Sequence, residues 1–394
     1  MKRFLPYGRQ NIDRNDIKSI VEVLKSDFIT QGPNINKFEK EFAKYVGAKY
    51  AVCCATGTAA LHLACLALGI NSKSRVLTSA ITFVASANCA EFLGASIVFA
   101  DIDEETNCMS IIDLEKKLKK QKIDLVIPVH LAGHSADMKK IYQLKKKYKF
   151  KIIEDSCHAL GGKYNGYKVG SCKFSDISTF SFHPVKPITT GEGGMITTNN
   201  KKIYEKLKLL RTHGIHKDPN YFTNKELAFD KLRVPNKWYY EMSHLGYNYR
   251  LTDIQATLGS SQLAKLEKFT RKRNQIAKNY LKNLKTNNLI TLPLTKTDVY
   301  HAFHLFTILI DFDKIKKTRN QVIEELASFN IGSQVLYIPV YYQPYYKKKY
   351  NYDPEDFPNA SKYYRKALSI PIFYDLKKTE QNFIIKKIHE IINF

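Results

Sequence analysis

The sequence predicts an α/β protein: a mostly parallel mixed sheet with helices on both faces, joined to a smaller C-terminal α+β domain. Three observations lead there. Short β-branched runs alternate with helical segments over the first two-thirds of the chain. One run, 124–129, is apolar nearly throughout, as befits a strand buried on both faces. After about Arg250 the alternation stops and a long helical stretch begins.

Residues 50–54 read as a strand and 58–68 as a helix with apolar residues at helical spacing. The apolar stretch 76–100 is interrupted by Asn88, Glu91 and several Ser and Thr, so it does not read as a membrane span. It reads instead as a strand at 76–78, a helix near 84–93 and a strand at 96–100. The strand at 124–129 leads into a Lys-rich amphipathic helix at 138–148, then strands at 151–154 and 177–182. One long helix is expected over 253–284, with Ile254, Leu258, Leu263, Leu266 and Ile276 facing inward. A strand at 303–310 and a helix including 322–327 follow. The expected division is a large α/β domain, 1–250, and a small α+β domain, 251–394, with the N-terminal segment free to pack on the latter.

A chain of 394 residues buries a large core without disulfides or structural metals. Its 44% hydrophobic and 25% charged content is ordinary globular usage and argues against disorder. The opening Met1-Lys2-Arg3-Phe4-Leu5-Pro6 lacks the apolar core of a signal peptide, so a cytoplasmic, membrane-free protein is expected. The seven cysteines are odd in number and never spaced Cys-x-x-Cys, which fits neither a zinc site nor a disulfide framework. Reduced thiols and no metal are expected. The net charge of +25 suggests nucleic acid, but 51 Lys against 11 Arg weakens that reading, because Arg is the side chain suited to bidentate recognition. A solvated Lys surface with attraction for a small anionic substrate fits better.

In open α/β sheets ligands bind where strands end and helices begin. Four segments sit at such ends. The first, Ala55-Thr56-Gly57-Thr58-Ala59-Ala60, lets backbone approach closely at Gly57 and offers Thr58 as a helix cap, an anion site or a plain cap. The second, Ile152-Ile153-Glu154-Asp155-Ser156-Cys157-His158, ends a strand in two carboxylates. The third runs from Ser178 to Lys186, followed by Pro187 and Gly191-Glu192-Gly193-Gly194. Among many lysines, one held between prolines stands out as constrained rather than merely solvated. The fourth is Gly246-Tyr247-Asn248-Tyr249-Arg250-Leu251-Thr252-Asp253, before the long helical stretch.

Together these match what pyridoxal phosphate (PLP) requires: N–H and hydroxyl donors for its phosphate, an amine for its aldehyde, and a carboxylate to keep its ring nitrogen protonated. At ~4 Å and an effective dielectric near ~20, such a carboxylate–pyridinium pair is worth ~4 kcal/mol before desolvation costs. Asp155 fits the carboxylate and Lys186 the amine.

The segments Ser181-Phe182-His183-Pro184-Val185-Lys186-Pro187-Ile188-Thr189-Thr190-Gly191-Glu192-Gly193-Gly194 and Gly246 to Asp253, with Gly57-Thr58-Ala59-Ala60-Leu61-His62-Leu63, resemble the DegT/StrS-type sugar-nucleotide aminotransferases. These are PLP-dependent transferases of fold type I, and the similarity runs over essentially the whole chain. The resemblance implies that Lys186 bonds the cofactor and shuttles the proton, and that Asp155 partners the ring nitrogen. It implies that Phe83 stacks on the ring and that Gly57, Thr58 and Ser181 hold the phosphate. Asn248 would reach the phosphate of the partner in a homodimer. His158 stands where many relatives have Gln, near the phenolic oxygen. Tyr7, His183, Arg250 and Tyr337 are the expected substrate contacts.

Relatives that dehydrate deoxysugars carry His at the position of Lys186, so transamination is implied, with glutamate as donor. The segments Pro6-Tyr7-Gly8-Arg9-Gln10-Asn11-Ile12-Asp13 and Phe28-Ile29-Thr30-Gln31-Gly32-Pro33 narrow the resemblance. They point to the branch that aminates carbon 4 of a UDP-4-keto-6-deoxy-N-acetylhexose for pseudaminic-acid-type synthesis. Leu336 and Tyr341 depart from it, standing where that branch often has His. Alternatives are amination at carbon 3, a dTDP- or GDP-linked ketosugar, or a non-catalytic nucleic-acid-binding regulator on the same fold. Tyr337, Tyr341, Tyr342, Tyr345 and Tyr346 either wall the sugar pocket or serve as packing.

Overall fold

The computed structural model describes residues 3–392; Met1-Lys2, part of the opening segment read above, and Asn393-Phe394, at the end of the expected small domain, lie outside them. Seven strands form the main sheet: β1 (Tyr50–Cys54), β2 (Arg75–Ser79), β3 (Ser96–Ala100), β4 (Leu125–Ile127), β5 (Lys151–Asp155), β6 (Ile177–Ser181) and β7 (Gly194–Thr198). Their order is β1-β7-β6-β5-β4-β2-β3, with β7 alone running against the others. The expected mostly parallel mixed sheet is thus present. Helices cover both faces of the sheet, so its strands are buried on both sides: Val52, Leu77, Val126, Ile153, Ile177 and Ile196 are fully buried.

Four helices matter for the site: α1 (Arg14–Leu24), α2 (Pro33–Val46), α3 (Gly57–Ala67) and α4 (Ala85–Glu91). The cap of α3 is Thr56 rather than Thr58: Thr56 Oγ1 accepts from the Ala59 N–H (3.0 Å), so the helix begins one residue earlier than the apolar spacing suggests. Helix α2 packs Phe38 and Phe42 onto Phe180 and Phe182, with Phe42–Phe180 and Phe38–Phe182 ring centroids at 5.1 and 5.5 Å. Each of these fully buried rings contributes about 1.5–3 kcal/mol. The cluster sits beneath the end of β6 and anchors the loop that carries Lys186.

The single helix expected over 253–284 is instead two, Asp253–Leu263 and Leu266–Leu284. The break falls at Ala264-Lys265, between the two helices. At the junction Lys265 Nζ turns to Asp16 (2.6 Å) and Asp13 (2.9 Å), the carboxylates of the capping box that starts α1. Asp16 is fully buried and also accepts from Ser261 Oγ and Gln262 Nε2, so its charge is fully hydrogen-bonded. Leu258, Leu263, Leu266 and Ile276 are buried as expected, while Ile254 is half-buried.

Three further strands, β8 (Ile290–Thr291), β9 (Phe306–Ile310) and β10 (Ala367–Ile370), form a small antiparallel sheet. Helices Leu266–Leu284, Arg319–Ser328 and Lys378–Ile392 cover it. Leu5 is buried in this core, its backbone bonded to Asn330 and Gly332 at 2.8 Å. Strand β9 begins three residues later than the expected 303. The reason is that Ala302 and Leu305 donate their N–H groups to Gly133 and Ala132, which turns the chain at Phe303 (φ 46°). That turn sets His304 beside the main sheet.

All seven cysteines are free, six of them buried. Among the described residues no helix is long and apolar enough to cross a membrane.

Candidate active site

A cavity of about 460 Å³ opens at the carboxyl ends of β1, β2, β5 and β6. It gathers Tyr7, Gly57, Thr58, Phe83, Asp155, His158, Ser181, His183, Lys186 and Tyr337, ten of the twelve residues singled out from the sequence. Asn248 and Arg250 do not line it. Their segment runs alongside, Tyr249 O accepting from the Ala55 N–H (2.9 Å), and Asn248 is exposed. A larger, more open groove of about 640 Å³ lies elsewhere, between α2 and helix Asp253–Leu263, and holds none of these residues.

The end of β1 provides the anion-binding wall. Within α3, the Ala59 N–H is taken by Thr56 Oγ1 and the Ala60 N–H by Thr56 O (3.0 Å). The Gly57 and Thr58 N–H groups precede these bonds and open on the cavity. Gly57 is required by close approach: a Cβ there would lie 2.7 Å from Ser181 Cβ, closing the gap between helix start and strand end. Gly194, opposite, has no room for a Cβ either, since one would meet Thr56 O at 2.3 Å.

Asp155 ends β5. Its backbone is locked to the adjacent strand extension, its N–H donating to Pro128 O (2.9 Å) and its carbonyl accepting from the His130 N–H (3.1 Å). Its Oδ2 accepts from Ser86 Oγ (2.6 Å) and its Oδ1 from the Cys157 N–H (3.2 Å).

Lys186 follows β6 in a loop closed by Phe182 N–H to Gly193 O (2.9 Å), Thr190 N–H to Phe182 O (3.0 Å) and Lys186 N–H to His183 O (2.9 Å). Burial pushes the Lys186 ammonium below its ordinary pKa, and neighbouring Cys157 and Asp155 push it partly back. The amine is therefore easier to deprotonate than a surface lysine. Burial, with the charge of Lys186, also holds His158 well below the usual histidine range, so its ring is neutral. Its Nδ1 accepts from the Ala132 N–H (3.3 Å), which puts the ring proton on Nε2, facing Tyr337 Oη at 3.1 Å. Burial raises the Tyr337 phenol, which stays protonated. The ring of Phe83, 54% exposed, borders the open side of the cavity 5.8 Å from that of Tyr337.

Of the tyrosine cluster only Tyr337 reaches the cavity. Tyr341 and Tyr346 are buried in packing, bonded to Ser361 (2.9 Å) and Asn88 (2.7 Å), and Tyr345 is exposed against Glu91. Leu336 lines the cavity and Tyr341 does not. Sequence reasoning missed Thr82, Ser86, Cys157 and Glu192 as neighbours of the site. Cys157 and Glu192 stood inside motifs already quoted, whereas nothing local to 82–86 shows that Ser86, with Thr82 behind it, turns its hydroxyl toward a carboxylate 69 residues away.

The residues present fit PLP. A helix start with free N–H groups, the Thr58 and Ser181 hydroxyls beside it, a strand-end carboxylate and a half-buried amine supply the donors, acceptor and nucleophile that the cofactor needs.

Fold and site together define a PLP-dependent aminotransferase of fold type I. The chain belongs to the DegT/DnrJ/EryC1/StrS aminotransferase family, which it matches over residues 10–389. It is 38% identical over 390 residues to the UDP-4-amino-4,6-dideoxy-N-acetyl-beta-L-altrosamine transaminase of Campylobacter jejuni, covering 98% of this chain and 97% of that one. Among solved structures it resembles Helicobacter pylori PseC, an aminotransferase involved in the biosynthesis of pseudoaminic acid. The TM-score is 0.89 and the identity 30%, covering 99% of this chain and 100% of that one. It also resembles Spr1654 of Streptococcus pneumoniae in its PLP form, with a TM-score of 0.87 and 27% identity over 99% of each chain.

Proposed function

We propose that the protein transfers an amino group from glutamate to carbon 4 of a UDP-4-keto-6-deoxy-N-acetylhexose. The observation that carries the reading is the meeting of Lys186 and Asp155 in one cavity, with the amine's proton affinity reduced by burial. Bound PLP supplies an aldehyde that accepts the amino group and a ring that takes up electrons. Lys186 Nζ takes the proton from the donor's α-carbon in the first half of the reaction and delivers one to the sugar carbon in the second. Asp155 holds the proton on the ring nitrogen. Gly57, Thr58 and Ser181 would hold the phosphate, with Phe83 against the ring and His158 near the phenolic oxygen. Tyr7, His183 and Tyr337 line the space left for the sugar.

The substrate assignment draws on the similarity to the Campylobacter jejuni transaminase and on the positive surface, which favours a nucleotide diphosphate. Leu336 in the cavity favours a second reading, a different nucleotide ketosugar, because an apolar side chain stands where that branch often has His.

Asn248 is exposed and lies outside its own cavity. In this proposal it completes the phosphate site of a partner in a homodimer, with Arg250 close by. Exposed Leu232, Trp238, Met242 and Leu245 on the preceding segment support such an interface. The deciding experiment incubates purified protein with glutamate and UDP-, dTDP- and GDP-linked ketosugars, with product identification by mass spectrometry and NMR. Amination of the UDP-4-keto sugar at carbon 4 is expected. Preferential amination at carbon 3 or of another nucleotide sugar overturns the assignment.

A further inference from the structure

We infer that Ser86, backed by Thr82, is a positioning residue that fixes the Asp155 carboxylate for the cofactor's ring nitrogen; this rests on the reading of Asp155 proposed above. Ser86 Oγ donates to Asp155 Oδ2 over 2.6 Å, and Thr82 Oγ1 lies 2.7 Å from Ser86 Oγ. Both hydroxyls are buried, at 0% and 1% exposure. A serine has one proton. Since the carboxylate only accepts, Ser86 spends that proton on Asp155, and Thr82 must donate to Ser86. The order Thr82 → Ser86 → Asp155 is set by counting hydrogens.

The other carboxylate oxygen accepts from the Cys157 N–H (3.2 Å). With one donor on each oxygen, rotation of the carboxylate is fixed, and its remaining lone pairs are left for the cavity. A carboxylate held this way meets a ring nitrogen without having to be ordered first.

The same turn does a second job. Between Thr82 and Ser86 the chain presents Phe83 to the cavity, and the Ser86 N–H donates to Phe83 O (3.2 Å). One short segment thus joins the residue facing the ring plane to the residue holding the ring's charged partner. The two are separated only by the turn that begins α4.

The test measures PLP dissociation constants by absorbance titration of dialysed protein for wild type, Ser86→Ala, Thr82→Val, Asp155→Asn and Ser86→Ala/Asp155→Asn. Unfolding midpoints of the cofactor-free proteins are recorded alongside. Loss of a hydrogen bond to a charged group is expected to weaken PLP binding on the order of ten-fold in Ser86→Ala. Thr82→Val, which leaves Ser86 in place, should weaken it less. The double variant should bind no more weakly than Asp155→Asn alone, because Ser86 acts through Asp155.

Wild-type affinity in Ser86→Ala alongside weakened binding in Asp155→Asn overturns this inference and leaves the Asp155 reading standing. Unchanged binding in Asp155→Asn removes that reading and this inference with it. Fully additive losses overturn the positioning role, since they report a packing defect. If Ser86→Ala fails to fold, Thr82→Val alone and combined with Asp155→Asn carries the same comparison, and wild-type affinity in Thr82→Val then overturns the inference.

Discussion

His158 holds Tyr337 across the cavity although 179 residues separate them: the Nε2–H faces Tyr337 Oη at 3.1 Å and the rings lie 5.8 Å apart at 27°. With the imidazole donating, the phenol keeps its own proton to offer into the cavity. His304 packs on the other side of His158, ring centroids 4.4 Å apart, in a site where burial also keeps it neutral.

That burial makes stability depend on acid. His158, His301 and His304 are all held well below their unfolded value of 6.5, chiefly by desolvation. The folded state therefore binds fewer protons than the unfolded one below that value. Their stabilising contribution is complete above about pH 6.5 and is lost as the pH falls below it, by up to about 1.4 kcal/mol per pH unit for each histidine. Melting temperatures measured from pH 8 to pH 5 should drop below pH 6.5, and His158→Gln should flatten part of that slope. An equal slope in the variant would mean that His158 is not held neutral.

Lys186→Ala should abolish multiple turnover, because among the described residues no other amine lines the cavity. The wild-type protein loaded with PLP should show a visible absorbance band that borohydride bleaches, leaving the cofactor on the peptide containing Lys186. Labelling on a different lysine would overturn the assignment.

Asp155→Asn keeps the shape of the side chain and removes its charge. Losing a few kcal/mol of stabilisation at the transition state should slow turnover on the order of a hundredfold or more. The melting temperature should move far less. Near wild-type turnover would show that Asp155 does not partner the ring nitrogen.

A shared active site predicts complementation. Lys186→Ala and Asn248→Asp should each be inactive, the latter because a carboxylate beside a phosphate is a like-charge contact. In a mixed dimer one site carries both lesions and the other is intact. Random reassociation of the two variants should restore about a quarter of wild-type specific activity, since half the dimers are mixed. No recovery, with exchange verified by differently tagged subunits, would rule out the contact at Asn248.

What could be read along the chain was whatever depends on neighbours in sequence. The strand end at Cys54, those at Asp155 and Ser181 to within one residue, the constrained loop around Lys186 and the glycine at 57 announce themselves through alternation, caps and Pro–Gly punctuation. Those signals are local because backbone geometry is local. In an α/β sheet the strand ends converge at one edge, so locating them was nearly enough to assemble the cavity.

The tertiary structure decided the rest. Ser86 and Tyr337 meet Asp155 and His158 only after crossovers bring distant segments together, and a hydroxyl's sequence neighbours carry no record of which carboxylate it will face. The helix break at Ala264 and Lys265 and the late start of β9 have the same origin. Lys265 turns toward Asp13 and Asp16, and Ala302 and Leu305 spend their N–H groups on Gly133 and Ala132, so in each place a long-range bond displaced the regular element that local propensity favoured.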